Sequence, residues 1–364
     1  MLDRRSLLAA LALPAFRAPD LLGAPPAIEL FAGTYRAEGG RGLARINFEP
    51  KTDAATISGY LPVEDASYGA SSKSTGKRYF VGESDQGVVA AYDKALTPRG
   101  SVSTGGAGPC FLALDGRQGA LAVANYGSGS VAVIRLDPVD GRPLGAAQVV
   151  AHVGSGPVRQ RQAGPHAHWV GFSPDQRWLH AIDLGADAIF AHRFDAERVT
   201  IGEGEIAYAA PPGSGPRHLV RHPTLPLAYL VSELANTLTV LSTRDDGRFD
   251  PLQILSTLPP GFAGRSQAAH IAIDPAGQRL YVSNRGANTL VVFALNAAGR
   301  PTVLQQVACG GNWPRFFLLL ERERRLLVAN ERSGEVAIFH VLADGRLQDS
   351  GGRIAAPGVV FLML

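Results

Sequence analysis

The sequence contains little cysteine. Its two cysteines, Cys110 and Cys309, fall in loops of different sequence repeats, and their spacing gives no support for a disulfide. There is no Cys-x-x-Cys pair and no Cys/His array of the kind that holds structural zinc. We therefore predict neither a metal nor a cofactor.

Charge is also sparse. Charged residues make up 18% of the 364 residues, the formal net charge is +3, and only four of the 35 basic residues are lysines. Because the basic residues are scattered along the chain, the sequence predicts no nucleic-acid partner. The apolar run near the start, Leu7 to Phe16, is too short to span a membrane as a helix of the mature chain.

Glycine and proline are abundant, and one line of sequence recurs. The 42 glycines and 25 prolines favour a turn-rich, all-β protein. From Gly164 the line reads GPHAHWVGFSPDQRWLHAIDLGADAIFAHRFD, which predicts three short antiparallel strands, each closed by a turn. Related lines, of which the last is truncated, begin at Gly106, Gly213, Ser266, Gly311, Ala66 and Ile28.

The spacing of the repeats predicts the fold. The acidic or amide residue that follows the second strand falls at positions spaced 42, 58, 50, 51 and 46 residues apart, namely Glu83, Asn125, Asp183, Glu233, Asn284 and Asn330. This period is typical of a β-propeller, and seven four-stranded antiparallel blades fit the length. We expect one propeller domain over residues 28–364, with the last strand, Gly358 to Leu364, pairing with the N-terminal strand to close the ring.

Residues 1–27 precede the first repeat. Arg4 and Arg5, followed by Ser6 and the apolar run, resemble a bacterial twin-arginine export signal. This interpretation predicts a periplasmic protein. The alternative is an amphipathic leader on a cytoplasmic one.

Two places in each repeat face one mouth of the central channel: the loop before the innermost strand and the corner after the second strand. Polar side chains concentrate there, in the loops at His166, His168, Arg217, His218, His270 and Arg315 and at the corners at Glu83, Asn125, Asp183, Glu233, Arg285 and Asn330. Polar groups that converge on a channel mouth are typical of a small-molecule site.

Several of these residues also have a structural interpretation. Asx side chains commonly hold turns, which applies to Asn125, Asp183 and Asn330. His270 could cap its own turn, and His218 could face away because neighbours on a strand point to opposite sides. Arginines and histidines gathered around one glutamate favour an anionic ligand.

Two loops border the predicted mouth. Residues 149–162 form an insertion rich in Gly, Arg and Gln directly before the histidine pair, and residues 259–265 precede His270. Either loop could shape a pocket or be a tolerated surface insertion.

The motifs GPHAHWVGFSPD, GSGPRHLVRHP, YLVSEL, LYVSNRGANTL and GNWPRFF resemble the seven-bladed lactonase family, which includes propeller-type 6-phosphogluconolactonases and fungal 3-carboxy-cis,cis-muconate lactonising enzymes. The resemblance covers residues 28–364. It implies a catalytic set of His168, Arg217, Glu233 and Arg285. We expect the substrate-binding group to be His166, Asn125, Asp183, His270, Arg315 and Asn330.

The resemblance implies a lactone hydrolase that opens a sugar lactone, phosphorylated or not. Two arginines would stabilise the oxyanion, and His168 or Glu233 would activate water. The alternatives are a carboxymuconate lactonising enzyme and a non-catalytic exported propeller that binds a ligand or partner. A closed propeller is complete as a monomer, which is the expected state.

Overall fold

The computed structural model describes residues 27–72 and 75–364, so the predicted leader lies outside it except for Ala27. These residues form short β-strands, one 3₁₀ turn (Arg36–Glu38) and one short helix, α1 (Arg159–Gln162). None of the helices in this part of the chain is long and apolar enough to cross a membrane.

The strands follow one another along the chain with short connections. In the first half they are β1 (Ile28–Thr34), β2 (Leu43–Glu49), β3 (Ala54–Leu61), β4 (Ala66–Ser71), β5 (Arg78–Gly82), β6 (Val88–Tyr92), β7 (Pro98–Ser103), β8 (Pro109–Leu114), β9 (Ala120–Asn125), β10 (Ser130–Leu136), β11 (Pro143–Ala151), β12 (Ala167–Phe172), β13 (Trp178–Asp183) and β14 (Ala188–Asp195). In the second half they are β15 (Thr200–Ala209), β16 (Pro216–Arg221), β17 (Leu227–Ser232), β18 (Thr237–Thr243), β19 (Phe249–Ser256), β20 (Gln267–Ile273), β21 (Arg279–Arg285), β22 (Thr289–Leu295), β23 (Pro301–Ala308), β24 (Pro314–Leu320), β25 (Arg325–Asn330), β26 (Glu335–Val341), β27 (Leu347–Ala355) and β28 (Val359–Met363).

These strands make seven four-stranded antiparallel sheets, which confirms the predicted propeller. Six blades use consecutive strands, and the first blade has the order β28-β1-β2-β3. Strand β28 pairs with β1 from Phe31↔Met363 to Thr34↔Val359, so the C-terminus closes the ring as predicted. All five residues of β28 are buried. The ring therefore has no free edge at the junction of the two termini.

Burial follows the position of each strand in its blade. Middle strands such as β9 are buried along their whole length because neighbouring blades cover both faces of the sheet. Outer strands such as β3 alternate between exposed and partly buried residues, since only one of their faces meets another blade. The apolar core thus lies in the layers between blades.

A repeated hydrogen bond links neighbouring blades. At the same position of the second strand in four blades, a tyrosine hydroxyl or histidine ring nitrogen donates to a glycine carbonyl in a turn of the next blade. The pairs are Tyr79 to Gly141 (2.5 Å), His180 to Gly247 (2.8 Å), Tyr229 to Gly299 (2.7 Å) and Tyr281 to Gly345 (3.0 Å). The bonds fix each blade against the next and give the buried ring polar atoms a partner.

The propeller repeats also place three rings of side chains around the channel. Each innermost strand is bulged in its pairing: six strands skip one residue, and β20 skips two, Ala269 and His270. The first skipped position of each strand defines the bulge ring: Ser67, Cys110, His168, Arg217, Ala269, Arg315 and Val360. The next residue of each strand is aromatic, which defines the aromatic ring: Tyr68, Phe111, Trp169, His218, His270, Phe316 and Phe361. A bulge re-aims its side chain and is common beside active sites.

The third ring lies at the corners after the second strands. Its members are Tyr35, Glu83, Tyr126, Leu184, Glu233, Arg285 and Glu331, and we call it the corner ring. Six of them donate their backbone N–H to the residue before an innermost strand over 2.7 to 3.1 Å, and Arg285 pairs directly with Gln267. The shared bond shows that the seven positions are equivalent.

The aromatic ring fills the channel. Tyr68 stacks on Phe111 with ring centres 3.9 Å apart, and His270 stacks on Phe316 at 4.0 Å. Contacts also cross the axis, as between Phe111 and His218 at 5.2 Å. The mouth bordered by the bulge and corner rings, with the aromatic ring beneath it, is therefore the candidate pocket.

Candidate active site

Three arginines surround the carboxylate of Glu233. Its Oε2 accepts from Arg217 Nε at 3.1 Å and from Arg285 at 2.6 Å, and its Oε1 accepts from Arg161 at 2.6 Å. The side chains of Glu233 and Arg217 are each only 2% exposed. The cluster carries two more positive than negative charges in a nearly water-free place, so it would stabilise further negative charge.

The propeller framework explains why these groups meet. Arg217 occupies the bulge ring, while Glu233 and Arg285 are adjacent members of the corner ring. Arg217 also donates to the carbonyl of Ala269 at 2.6 Å, which fixes the plane of its guanidinium. Two ordinary features of the repeat, a bulge and a corner, thus direct three charged side chains to one point.

The third arginine comes from the insertion. Helix α1 carries Arg161, which also donates to the hydroxyl of Tyr126 at 3.2 Å. Its neighbour Gln162 is fully buried and holds the loop by donating to the carbonyl of Leu184 and accepting from Val158 N–H. The sequence predicts that this loop borders the pocket but does not single out Arg161 or Tyr126, since nothing in it fixes the direction of a short helix.

His168 lies in the bulge ring next to Arg217. Its Nδ1 is 3.6 Å from Cys110 Sγ, and its Nε2 makes no hydrogen bond within the described residues. Burial and the Arg217 guanidinium hold the pKa of His168 well below its usual value, although Glu233 opposes them. The imidazole is therefore neutral at physiological pH, and it can accept a proton.

The pKa values of the Glu233 cluster reflect the balance of burial and charge. Burial alone would raise the pKa of Glu233, but Arg285, Arg217 and Arg161 together lower it far below its usual value. Burial and Arg285 lower the pKa of Arg217 against the effect of Glu233. Glu233 is consequently a firmly ionised carboxylate, which makes it a poor base.

Two further histidines belong to the pocket floor. His218 accepts a hydrogen bond from Arg217 on its Nε2 at 3.0 Å, and its Nδ1 is 3.1 Å from Nδ1 of His270. Burial and Arg217 lower the pKa of His270 to about 3 and that of His218 well below its usual value. The sequence left open whether His218 faces away from the pocket. The bulge at Arg217 brings both Arg217 and His218 to the channel.

A second charged cluster lies across the mouth. Arg315 of the bulge ring donates to the hydroxyl of Tyr35 at 2.5 Å, and Tyr35 donates to Glu83 at 2.5 Å. Arg315 lies 3.5 Å from Glu83, and Glu331 also influences both Tyr35 and Arg315. Burial raises the pKa of Tyr35 well above its usual value, so the phenol stays protonated.

Three of the predicted binding residues do not reach the pocket. Asn125, Asp183 and Asn330 are fully buried and bond within the scaffold: Asn125 to Ser130, Asn330 to the Cys309 carbonyl, and Asp183 to His152 and two backbone N–H groups. They lie one residue before the corner ring, so strand alternation turns them away from the channel. The corner-ring residues that follow them are Tyr126, Leu184 and Glu331, of which Tyr126 contacts Arg161 and His166 at the mouth.

Aromatic groups form part of the pocket wall. His166 donates through Nδ1 to the carbonyl of Tyr126 and stacks on its ring at 4.5 Å, so it lies at the mouth as predicted from its loop. On the opposite side, the guanidinium groups of Arg285 and Arg332 lie 5.6 and 3.5 Å from the ring centre of Trp313. These contacts orient Arg285, whose Nε is buried without a hydrogen-bond partner among the described residues.

Comparison with known proteins decides the family. The family described as "Lactonase, 7-bladed beta-propeller" matches residues 29–364. The chain belongs to this lactonase family. It is 32% identical to the 6-phosphogluconolactonase of Bacillus subtilis over 320 residues, which cover 85% of this chain and 90% of that protein.

Two solved structures show the same relationship. The periplasmic gluconolactonase of Pseudomonas aeruginosa is 28% identical, with a TM-score of 0.86 over 92% of this chain and 98% of its own. A Lactobacillus plantarum protein is 29% identical, with a TM-score of 0.85 over 92% and 98%. The similarity in fold thus extends over nearly the whole length of the chain.

The four catalytic residues implied by the family resemblance lie close together in this lactonase. Arg217, Glu233 and Arg285 are in direct contact, and His168 lies next to Arg217 in the bulge ring. The described residues hold no group of three or more His, Cys, Asp or Glu arranged to bind a metal ion. Both cysteines are free thiols.

We predict that Glu233→Gln destabilises the lactonase by about 3–5 kcal/mol, because it leaves three arginines around a neutral amide. Urea unfolding measures this as a lower midpoint with an unchanged slope. Glu197→Gln is the control: its side chain is 81% exposed in its pair with Arg117, and its loss should cost less than about 1 kcal/mol. Equal midpoints for the two variants would contradict the structural role of Glu233.

Proposed function

We propose that this lactonase hydrolyses a sugar lactone with His168 as the general base. The observation that carries the proposal is a neutral imidazole with an unbonded Nε2 beside a buried cluster that has an excess of two positive charges. The names of its relatives, a 6-phosphogluconolactonase and a gluconolactonase, support the substrate class. The muconate lactonising reaction has no comparable support.

The chemistry follows from the two groups. His168 Nε2 takes a proton from a water molecule whose oxygen attacks the lactone carbonyl carbon. Arg217 and Arg285 lie where their fixed charge stabilises the resulting oxyanion. When the ring C–O bond breaks, the imidazolium returns its proton to the leaving oxygen, which yields the hydroxy acid.

In this mechanism Glu233 has a positioning role. Its carboxylate takes hydrogen bonds from both oxyanion-stabilising arginines, so it sets their separation and direction before substrate binds. Electrostatic stabilisation is most effective when the charged groups need no rearrangement during the reaction. The proposed mechanism thus takes His168 rather than Glu233 as the base, a choice that the sequence left open.

We predict that the purified protein hydrolyses glucono-1,5-lactone or its 6-phosphate in the presence of EDTA, and that His168→Gln lowers kcat by about 10²–10⁴-fold. The test follows acid release in a pH-stat, with subtraction of spontaneous hydrolysis. Because the pKa of His168 is depressed, the base form persists as pH falls, so kcat/KM should show no inflection near the usual value of about 6.5.

His340→Gln is the control, since this ring pairs with Asp53 and is 39% exposed. It should retain full activity. Three results would contradict the proposal: no turnover of either lactone by folded protein, full turnover in His168→Gln, or loss of kcat/KM with a midpoint near the usual histidine pKa.

We also propose that the protein works outside the cytoplasm. Support comes from the Arg4-Arg5 pair ahead of an apolar run and from the resemblance to a periplasmic lactonase.

We predict that the first 27 residues export a reporter enzyme to the periplasm through the twin-arginine route, and that replacing both arginines by lysine abolishes export. Cytoplasmic retention of the unaltered fusion would refute this. The expected monomeric state remains a prediction.

A further inference from the structure

A cysteine of the bulge ring contacts His168 and has no role in the proposed mechanism. The Sγ atom of Cys110, in the preceding blade, lies 3.6 Å from Nδ1 of His168. The same sulfur lies 3.7 Å from the carbonyl oxygen of Ala167 and 3.6 Å from that of His168. Cys110 is buried, so its polar contacts are with protein atoms rather than with bulk water.

The contact with Cys110 distinguishes the two ring nitrogens of His168. Tyr126 and His218 pack against the imidazole at 74° and 76°, with ring centres 5.2 and 5.3 Å away. These contacts hold the plane of the ring, but a half-turn about the Cβ–Cγ bond would preserve that plane. The half-turn would replace Nδ1 with a ring carbon beside Cys110 Sγ, so the sulfur favours the orientation that the structure shows.

Counting protons decides which nitrogen of the neutral ring is protonated. With the proton on Nε2, the thiol donates to Nδ1, and Nε2–H has no acceptor within residues 27–72 and 75–364. With the proton on Nδ1, the N–H donates to Cys110 Sγ and the thiol donates to a carbonyl, so both protons are bonded. Because buried polar groups are almost always bonded, the second arrangement is favoured.

The repeat supports the direction of the thiol proton. Ser67 occupies the position of Cys110 in the blade before it, and its hydroxyl donates over 3.4 Å to the carbonyl of Pro109, the residue before Cys110. Cys110 contacts the carbonyl of Ala167, the residue before His168, in the same way. A thiol that donates to this carbonyl keeps its lone pairs for Nδ1–H.

We propose that Cys110 is a positioning residue for His168. Its sulfur accepts a hydrogen bond from Nδ1–H, which fixes the tautomer and leaves the Nε2 lone pair to take the proton from water. The inference rests on the proposed function, because that function makes His168 Nε2 the general base. Cys110 itself does not touch the substrate.

A neutral thiol suits this role. Burial raises the pKa of the Cys110 thiol above its usual value and outweighs the charged groups that act on it, namely Glu83, Arg217, Arg315 and Glu233. A carboxylate in the same place would raise the pKa of His168. The thiol orients the imidazole without adding charge, in agreement with the depressed pKa of His168.

The kinetic test compares Cys110→Ala with Cys110→Ser. The alanine variant should lower kcat for glucono-1,5-lactone about tenfold, the effect of one neutral hydrogen bond, with KM unchanged because the contact acts on the base. Serine can both accept and donate, as Ser67 does, so it should retain most of kcat. Cys309→Ala is the matched control: this buried thiol donates to the Gly311 carbonyl in another blade, and kcat should not change.

Nitrogen-15 NMR of the whole protein tests the tautomer without turnover. Two-bond correlations from ring protons show which nitrogen carries hydrogen, and His168→Gln identifies the signals of this ring among the nine histidines. The native protein, Cys110→Ser and Cys309→Ala should show His168 with Nδ1 protonated and Nε2 bare. Cys110→Ala should show a mixture of both tautomers.

The two measurements separate this inference from the proposed function. A native His168 with Nε2 protonated would overturn the inference, as would full kcat and an unchanged tautomer in Cys110→Ala, and in the second case His168 stands as the base. If neither lactone is hydrolysed, the proposed function is wrong and NMR alone decides. Loss of the Nδ1–H tautomer only in Cys110→Ala then supports the contact, and an unchanged tautomer refutes it.

Discussion

The ionised carboxylate of Glu233 is the constraint on which the pocket depends. Three guanidinium groups could not lie this close together in a nearly dry channel without an anion between them. By bonding to all of them, the carboxylate sets the positions of Arg217 and Arg285 and ties the insertion, through Arg161, to the mouth. Burial and the Arg217 guanidinium lower the pKa of His168, so the imidazole is neutral and free to accept a proton. One interaction thus determines the electrostatics of the site.

The propeller produces this arrangement from structural features that recur in every blade. A bulge in each innermost strand and a corner after each second strand place fourteen residues around one mouth of the channel, next to the aromatic ring. Most of these positions need no charge for the fold. Where charge appears it forms two clusters, one in which Arg161, Arg217 and Arg285 surround Glu233 and one in which Arg315 lies beside Tyr35 and Glu83.

The sequence predicted the fold well because the period and the turn residues repeat seven times, and it predicted the meeting of Arg217, Glu233 and Arg285 because each occupies a repeat position. The sequence predicted less well where a shift of one residue decides whether a side chain faces the channel or the scaffold. Asn125 and Asn330 were aligned with Glu233, yet they lie one position earlier and point into the scaffold. Arg161 and Tyr35 could not be assigned, since their placement depends on an irregular loop and on ring closure by β28 rather than on local pattern.

In the proposed mechanism His168, rather than Glu233, accepts the proton from water. Chemical rescue tests it directly: free imidazole is added to His168→Gly, and formate to Glu233→Ala, during lactone hydrolysis at several pH values. Imidazole should restore turnover of His168→Gly in proportion to the neutral fraction of imidazole, whereas formate should not restore turnover of Glu233→Ala in proportion to formate concentration. Rescue of Glu233→Ala by formate, together with failure of imidazole in a folded His168→Gly protein, would contradict it.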